Sequence, residues 1–146
     1  MCGIVGFNGM RQAAPVLLDG LSKLEYRGYD SAGIAVRNGT DAVEVIKEKG
    51  KLKVLQNMTD NGKAVKGCCG IGHTRWATDG NVSDENSHPH KFGNVTVVHN
   101  GIIENYETIK NTLNVADKLK SQTDSEVAAA LIDRCFTGNP EEAIVN

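Results

Sequence analysis

Cys2, directly after the initiating methionine, is the residue in this sequence best placed for covalent chemistry. Once Met1 is processed away, one residue carries both a thiol and a free α-amine. Such an amine titrates near pH ~8, far below a lysine, so it can act as a base near neutrality. The thiolate is a strong nucleophile. Nucleophile and base then need no fold to bring them together. Taken alone, the opening Met1-Cys2-Gly3-Ile4-Val5-Gly6 is better read as a small residue at a frayed terminus.

Four polar clusters could supply the rest of a site: Arg27-Gly-Tyr-Asp30, His73-Thr-Arg-Trp-Ala-Thr78, His99-Asn100-Gly101 and Thr123-Asp124. Each sits at a strand end or in a loop, where function concentrates. Arg75 could grip a carboxylate with two parallel hydrogen bonds. The Asn100 side chain and the Gly101 amide could stabilise an oxyanion. Asp124 could pair an ammonium. With a thiol nucleophile, these are parts for attack on an amide of an amino acid. Each also has a plainer reading. Arg75 fits a surface ion pair, Trp76 a core side chain and Asn100-Gly101 a turn. Asp124 falls in a helix first turn, where the dipole favours acids. His73, His88, His90 and His99 invite a metal reading. Pro89 between two of them, with no cysteine pair or acidic cluster nearby, argues against it, so no metal is expected.

The elements that must position these residues belong to a chain of 146 residues, enough for one domain with a modest core. It is 40% hydrophobic and 23% charged with net charge -2, which suggests no nucleic-acid or membrane partner. No apolar run approaches the ~20 residues that span a bilayer. No basic segment precedes an apolar one at the N-terminus, so no signal peptide is expected. Cys2, Cys68, Cys69 and Cys135 lack a framework spacing. They are expected to be reduced, and the protein cytoplasmic.

Residues 3–7 read as a strand. Pro15 marks the first turn of a helix whose stripe is Ala14, Leu17, Leu21 and Leu24. Residues 31–36 and 42–47 read as strands joined by Asn38-Gly39, a hairpin. A short helix over 51–58 has Leu52 and Leu55 on one side. Residues 70–74 and 94–98 read as strands. Between them, 75–93 shows no periodicity, and a loop that long is usually functional or mobile. Tyr106, Ile109 and Leu113 mark a helix. Thr123-Asp-Ser-Glu126 fits a capping box ahead of an apolar face of Ala128, Leu131, Ile132 and Cys135. Gly138-Asn-Pro140 stops that helix, and Pro140 starts another over 141–145. Early alternation of strands and helices with one plainly antiparallel hairpin predicts a layered α+β domain. No repeat or linker divides the chain.

At this point the chain resembles the glutaminase domain of class II, N-terminal-nucleophile glutamine amidotransferases, and among them the glutamine–fructose-6-phosphate aminotransferase family, the isomerizing type. The segments are Met1-Cys-Gly-Ile-Val-Gly6, Leu24-Glu-Tyr-Arg-Gly-Tyr-Asp-Ser-Ala-Gly33, His73-Thr-Arg-Trp-Ala-Thr78, Asn86-Ser-His-Pro-His90, Val98-His-Asn-Gly-Ile-Ile-Glu-Asn105 and Thr123-Asp-Ser-Glu-Val127. They lie in the family's order over nearly the whole chain. Arg75-Trp-Ala-Thr78 separates it from the amidophosphoribosyl type. The resemblance implies a four-layer α/β/β/α sandwich of antiparallel sheets and no cofactor. It implies Cys2 as nucleophile with its own amine as base, forming a thioester with L-glutamine. Asn100 and Gly101 would form the oxyanion hole. Arg75 would hold the substrate carboxylate and Asp124 its ammonium. Trp76 and Thr78 would belong to a loop closing over glutamine. His88 and His99 match framework histidines.

Two features depart from that family. Asp79 stands where His usually follows Trp-Ala-Thr, and an acid beside a carboxylate-binding pocket could weaken binding. The sequence is also short. The sugar isomerase domains that use fructose-6-phosphate to make glucosamine-6-phosphate are expected to be absent, and the sandwich incomplete at its C-terminus. Open sheet edges would invite self-association into a homo-oligomer. A glutamine-binding or interaction module without turnover is the alternative reading.

Overall fold

The computed structural model describes residues 2–27, 30–39, 42–76 and 82–145. Among these residues six strands and five α-helices run in the order β1 (Gly3–Asn8), α1 (Ala13–Lys23), β2 (Ser31–Arg37), β3 (Val43–Lys49), α2 (Leu52–Met58), β4 (Cys69–Arg75), β5 (His90–Phe92), β6 (Val95–Val97), α3 (Tyr106–Leu113), α4 (Asp124–Cys135) and α5 (Pro140–Val145). The main sheet is antiparallel throughout, in the order β1-β4-β2-β3; β5 and β6 form a second, two-stranded sheet.

One face of the main sheet is closed by α1 and α2. Successive strand side chains point to opposite faces, so Val5, Ile34, Val36 and Ile46 meet Leu17, Leu18, Leu21, Leu52, Leu55 and Val65 in one dry cluster. Each large side chain buried there contributes about 1.5–3 kcal/mol of transfer free energy. The start of α1 is tied down by the turn before β4: Ala13 N–H donates to the Gly67 carbonyl at 2.7 Å, and Gln12 Oε1 accepts from Gly67 N–H at 2.9 Å. Gly39, in the β2–β3 connection, has φ +81°, a conformation glycine adopts without strain.

The opposite face carries Ile4, His73, Gly33 and Lys47 side by side, from the register Ile4↔His73↔Gly33↔Lys47. Residues 83–90 cross this face. Lys47 Nζ, its pKa lowered chiefly by burial, donates to the carbonyls of Ser87 at 2.7 Å and Glu85 at 3.1 Å. The His88 carbonyl lies so close to Gly33 that an added Cβ would overlap it. Gly33→Ala should therefore lower stability by about 3 kcal/mol, the upper end for overpacking. The reading is a lower urea midpoint at unchanged m-value; an unchanged midpoint would show that the segment lifts freely.

Beyond this segment, α4 packs on β5 and β6, with α3 and α5 against α4. The layers run helix, sheet, sheet, helix, the expected α+β sandwich. Two expectations are corrected. Residues 75–93 are not irregular throughout, because 90–92 form β5; three residues are too few to show alternation. On α4 the buried side chains are Ser125, Glu126, Val127, Ala129 and Ala130, while Leu131 is 36% exposed. The helix is covered by β5–β6, α3 and α5, so its buried surface is broader than one stripe. Thr123 caps it as expected, accepting from Glu126 N–H at 3.3 Å. Glu126 does not return the bond to Thr123. Its carboxylate instead accepts from Lys120 N–H and Ser121 N–H at 3.0 and 2.6 Å. Cys2, Cys68, Cys69 and Cys135 are all unbridged. Among the described residues no helix is long and apolar enough to cross a membrane.

Candidate active site

Gly3 faces α1, since a Cβ there would strike Leu24. By alternation Cys2 and Ile4 face the other way, onto the side that carries His73 and Arg75. β1 runs antiparallel to β4, so Cys2 lies beside the C-terminal end of β4 where Arg75 and Trp76 emerge. The contacts agree: Trp76 N–H donates to Cys2 Sγ at 3.3 Å, and the thiol reaches the Trp76 carbonyl at 3.8 Å. Arg75 is half-buried as the last residue of β4, and its carbonyl accepts from Asp30 N–H at 2.8 Å. Trp76 is 49% exposed. Thr78 and Asp79 lie outside the described residues.

The same face receives Asn100. Its Oδ1 lies 2.7 Å from His73 Nε2. Because Oδ1 only accepts, Nε2 is the protonated nitrogen. Gly101 follows over the His99 ring; an added Cβ would come within 2.8 Å of His99 Nε2. His99 Nδ1 is 3.1 Å from Ser125 Oγ, which in turn donates to Asp124 Oδ1 at 3.3 Å. Asp124 Oδ2 accepts from Ile103 N–H at 2.7 Å. The start of α4 is thereby laced to the 99–103 loop. Cys2, Arg75, Trp76 and Asn100 thus gather at one end of the main sheet, with Gly101 beside them. Asp124 joins through that loop.

Under this site lie three buried histidines. The His73 and His88 rings stack at 4.2 Å, and His90 meets His88 edge-on at 4.5 Å. His90 Nε2 is 3.1 Å from the capping hydroxyl of Thr123. Burial holds His73 down to about 4 against the opposing hydrogen bonds to Asn100 and the His99 backbone. Burial, with Lys47 and Arg75 nearby, holds His90 down to about 3, and His88 is pushed lower still by burial and its two histidine neighbours. All three are neutral near pH 7. The three rings pack on one another, His73 stacked on His88 and His90 edge-on to it. Among the described residues no group of three or more His, Cys, Asp or Glu gathers as metal ligands.

Sequence reasoning brought Cys2, Arg75, Trp76 and Asn100 forward one by one, but not the contacts that bring them together. His73 and Asn100 are 27 residues apart in separate elements, and no spacing rule joins them. Nor did any pattern mark Ser125 or Ile103 N–H as partners of Asp124.

A family profile described as "Glutamine amidotransferase domain" matches residues 52–138. Glutamine–fructose-6-phosphate aminotransferase [isomerizing] of Caldanaerobacter subterraneus subsp. tengcongensis is 51% identical over 99% of this chain and 24% of its own length. The protein of that name from Thermus thermophilus is 49% identical over the same shares. The chain therefore spans about a quarter of the length of these relatives. Among solved structures, glutamine phosphoribosylpyrophosphate amidotransferase from B. subtilis superposes with TM-score 0.78 at 29% identity, over 99% of this chain and 31% of its own. Identity to the aminotransferases is thus well above that to the amidophosphoribosyl enzyme.

Proposed function

This chain is a member of the glutamine amidotransferase domain family, and on that premise we propose that it hydrolyses L-glutamine to glutamate and ammonia through Cys2. The observation that carries the reading is the meeting of Cys2, Arg75 and Asn100 at one sheet end, with Cys2 Sγ 3.3 Å from Trp76 N–H. With Met1 removed, the Cys2 amine takes the thiol proton. The sulfur attacks the side-chain amide carbon, and the carbonyl oxygen becomes an oxyanion. Asn100 Nδ2–H and Gly101 N–H stabilise that charge as it develops. The C–N bond then breaks, the amine returns its proton to the leaving nitrogen, and ammonia departs from a glutamyl thioester. Water attacks the thioester, glutamate leaves and the thiol is restored.

Arg75 and Asp124 hold the glutamine α-carboxylate and α-ammonium. Trp76 and Thr78 close over it. In longer relatives the ammonia would aminate fructose-6-phosphate on the way to glucosamine-6-phosphate. That step needs sugar-binding parts beyond these residues.

Intact-mass analysis before and after treatment with 6-diazo-5-oxo-norleucine tests this reading. The expected result is loss of Met1 and one adduct, mapped to Cys2. A retained Met1, or a processed terminus that takes no adduct, would return the chain to a binding module without turnover.

A further inference from the structure

The oxyanion donors proposed above do not stand alone in the fold. Asn100 is exposed at its backbone loop, yet its side chain is pinned to His73, which is 1% exposed in the middle of β4. A free carboxamide can turn by 180° and present either its NH2 or its carbonyl to a neighbour. Presenting the carbonyl to an oxyanion would repel the charge it must stabilise. Something has to choose the rotamer.

We propose that His73 is a positioning residue for the oxyanion site, whose Nε2–H grips Asn100 Oδ1 and so turns the Nδ2–H2 end toward the substrate oxygen. The inference rests on the glutaminase reading above and deepens it. Three observations support it. The His73 ring is fixed by its 4.2 Å stack on His88, and it stands on the central strand β4, paired at this position with Ile4 of β1 and Gly33 of β2. His73 Nδ1 is buried with no hydrogen-bond partner among the described residues. That suits a bare acceptor nitrogen, because a buried N–H left unpaired costs more than a lone pair left unpaired. Burial also keeps the ring neutral, so it carries one proton, and the bond to Oδ1 places it on Nε2. A cationic ring would carry a second proton on Nδ1 with nowhere to donate it.

His73 sits diagonally from Cys2 across the β1–β4 pair. Same-face diagonal neighbours in such a pair lie roughly 7–8 Å apart. That is one substrate amide away from the thiol. The ring itself touches neither thiol nor substrate; it acts through Asn100.

Two measurements test the role. The first is the tautomer, read by 15N NMR on histidine-labelled protein. Nε2 is expected at a pyrrole-type shift and Nδ1 at a pyridine-type shift. An Nδ1–H tautomer would overturn the proposal, because Asn100 would then have to turn its NH2 toward the ring.

The second is a kinetic cycle with His73→Phe, His73→Gln and Asn100→Ala. Phe keeps the stack on His88 but has no donor; Gln can restore one at the Nε2 position. His73→Phe should lower kcat for glutamine by about 10- to 100-fold, a part of the loss expected for an oxyanion donor, with KM within about 3-fold. His73→Gln should recover most of it. In the Asn100→Ala background, His73→Phe should add less than about 3-fold, since residues acting through one another are non-additive. Undiminished kcat in His73→Phe, or an equal loss in both backgrounds, sinks the role. Should His73→Phe fail to fold, the tautomer and the His73→Gln rate still decide. A wild-type chain with the Nε2–H tautomer but no ammonia release overturns the glutaminase reading, and the role falls with it.

Discussion

Cys2→Ala should abolish ammonia release from glutamine, a loss of at least about 10⁴-fold in kcat, while binding of glutamine survives. The two halves of that expectation come from different parts of the structure. Cys2 lies at the start of β1 and fills no core position; the cluster under α1 is built without it. Its removal leaves β1 paired to β4 and leaves Arg75 and Asp124 in place. What is lost is the only group proposed to bond the amide carbon. Cys2→Ser should be much slower than wild type, because a hydroxyl gives up its proton far less readily than a thiol and is the weaker nucleophile with the same α-amine as base.

Asn100→Ala separates the covalent step from its stabilisation. In the proposed mechanism the Nδ2–H bond strengthens only as charge forms on the substrate oxygen. Its loss should therefore lower kcat by about 10²- to 10³-fold with KM little changed. Steady-state ammonia release and calorimetric titration with glutamine on the alanine variants check both. Tight binding without turnover in Cys2→Ala is the supporting result. Measurable turnover in Cys2→Ala would show that the nucleophile lies elsewhere.

The parts of this picture that could be read from the sequence are those with a local rule. Leu17 and Leu21 repeat at helical spacing and are fully buried. Asn38-Gly39 announces the β2–β3 hairpin, and Thr123 announces α4. The chemistry-bearing clusters each allowed a plain turn, cap or ion-pair reading; it was their order along the chain, shared with a known family, that marked them out. What could not be read depends on which elements meet. β4 lies between β1 and β2, so Cys2 meets Arg75 across 73 residues of chain, a pairing no window contains. Glu126 looked like half of a capping box, but the turn at 120–121 brings other amides to it. His88 and His90 look like loop residues in a polar stretch; only Gly33, by lacking a side chain, lets their backbone approach the sheet and bury the rings.

That burial leads to the second large effect. Unfolding free energy should fall by about 6 kcal/mol between pH 7.5 and pH 5. His73 and His90 have folded-state pKa values of about 4 and about 3, and His88 lies lower, against an ordinary value of 6.5. Below 6.5 the unfolded chain takes up protons that the folded chain cannot. Stability is therefore whole above about pH 6.5 and drains as pH falls toward the folded values. At pH 5 each neutral buried histidine costs about 2 kcal/mol relative to the unfolded state, at 1.36 kcal/mol per pH unit, and three such groups act in the same direction. Domains of this kind hold about 5–15 kcal/mol in all, so the chain should approach its unfolding midpoint near pH 5 rather than at the more acid values set by carboxylates. Protonating one ring also opposes the next, since they lie 4.2 and 4.5 Å apart with Lys47 and Arg75 nearby, which steepens the transition. Urea unfolding at pH 7.5, 6.5, 5.5 and 5.0 gives the slope directly. A stability constant over that range would mean that the three rings take up protons without unfolding. The close stack that holds His73 under Asn100 would then not be the neutral, dry arrangement described here, and activity should persist at pH 5 as well.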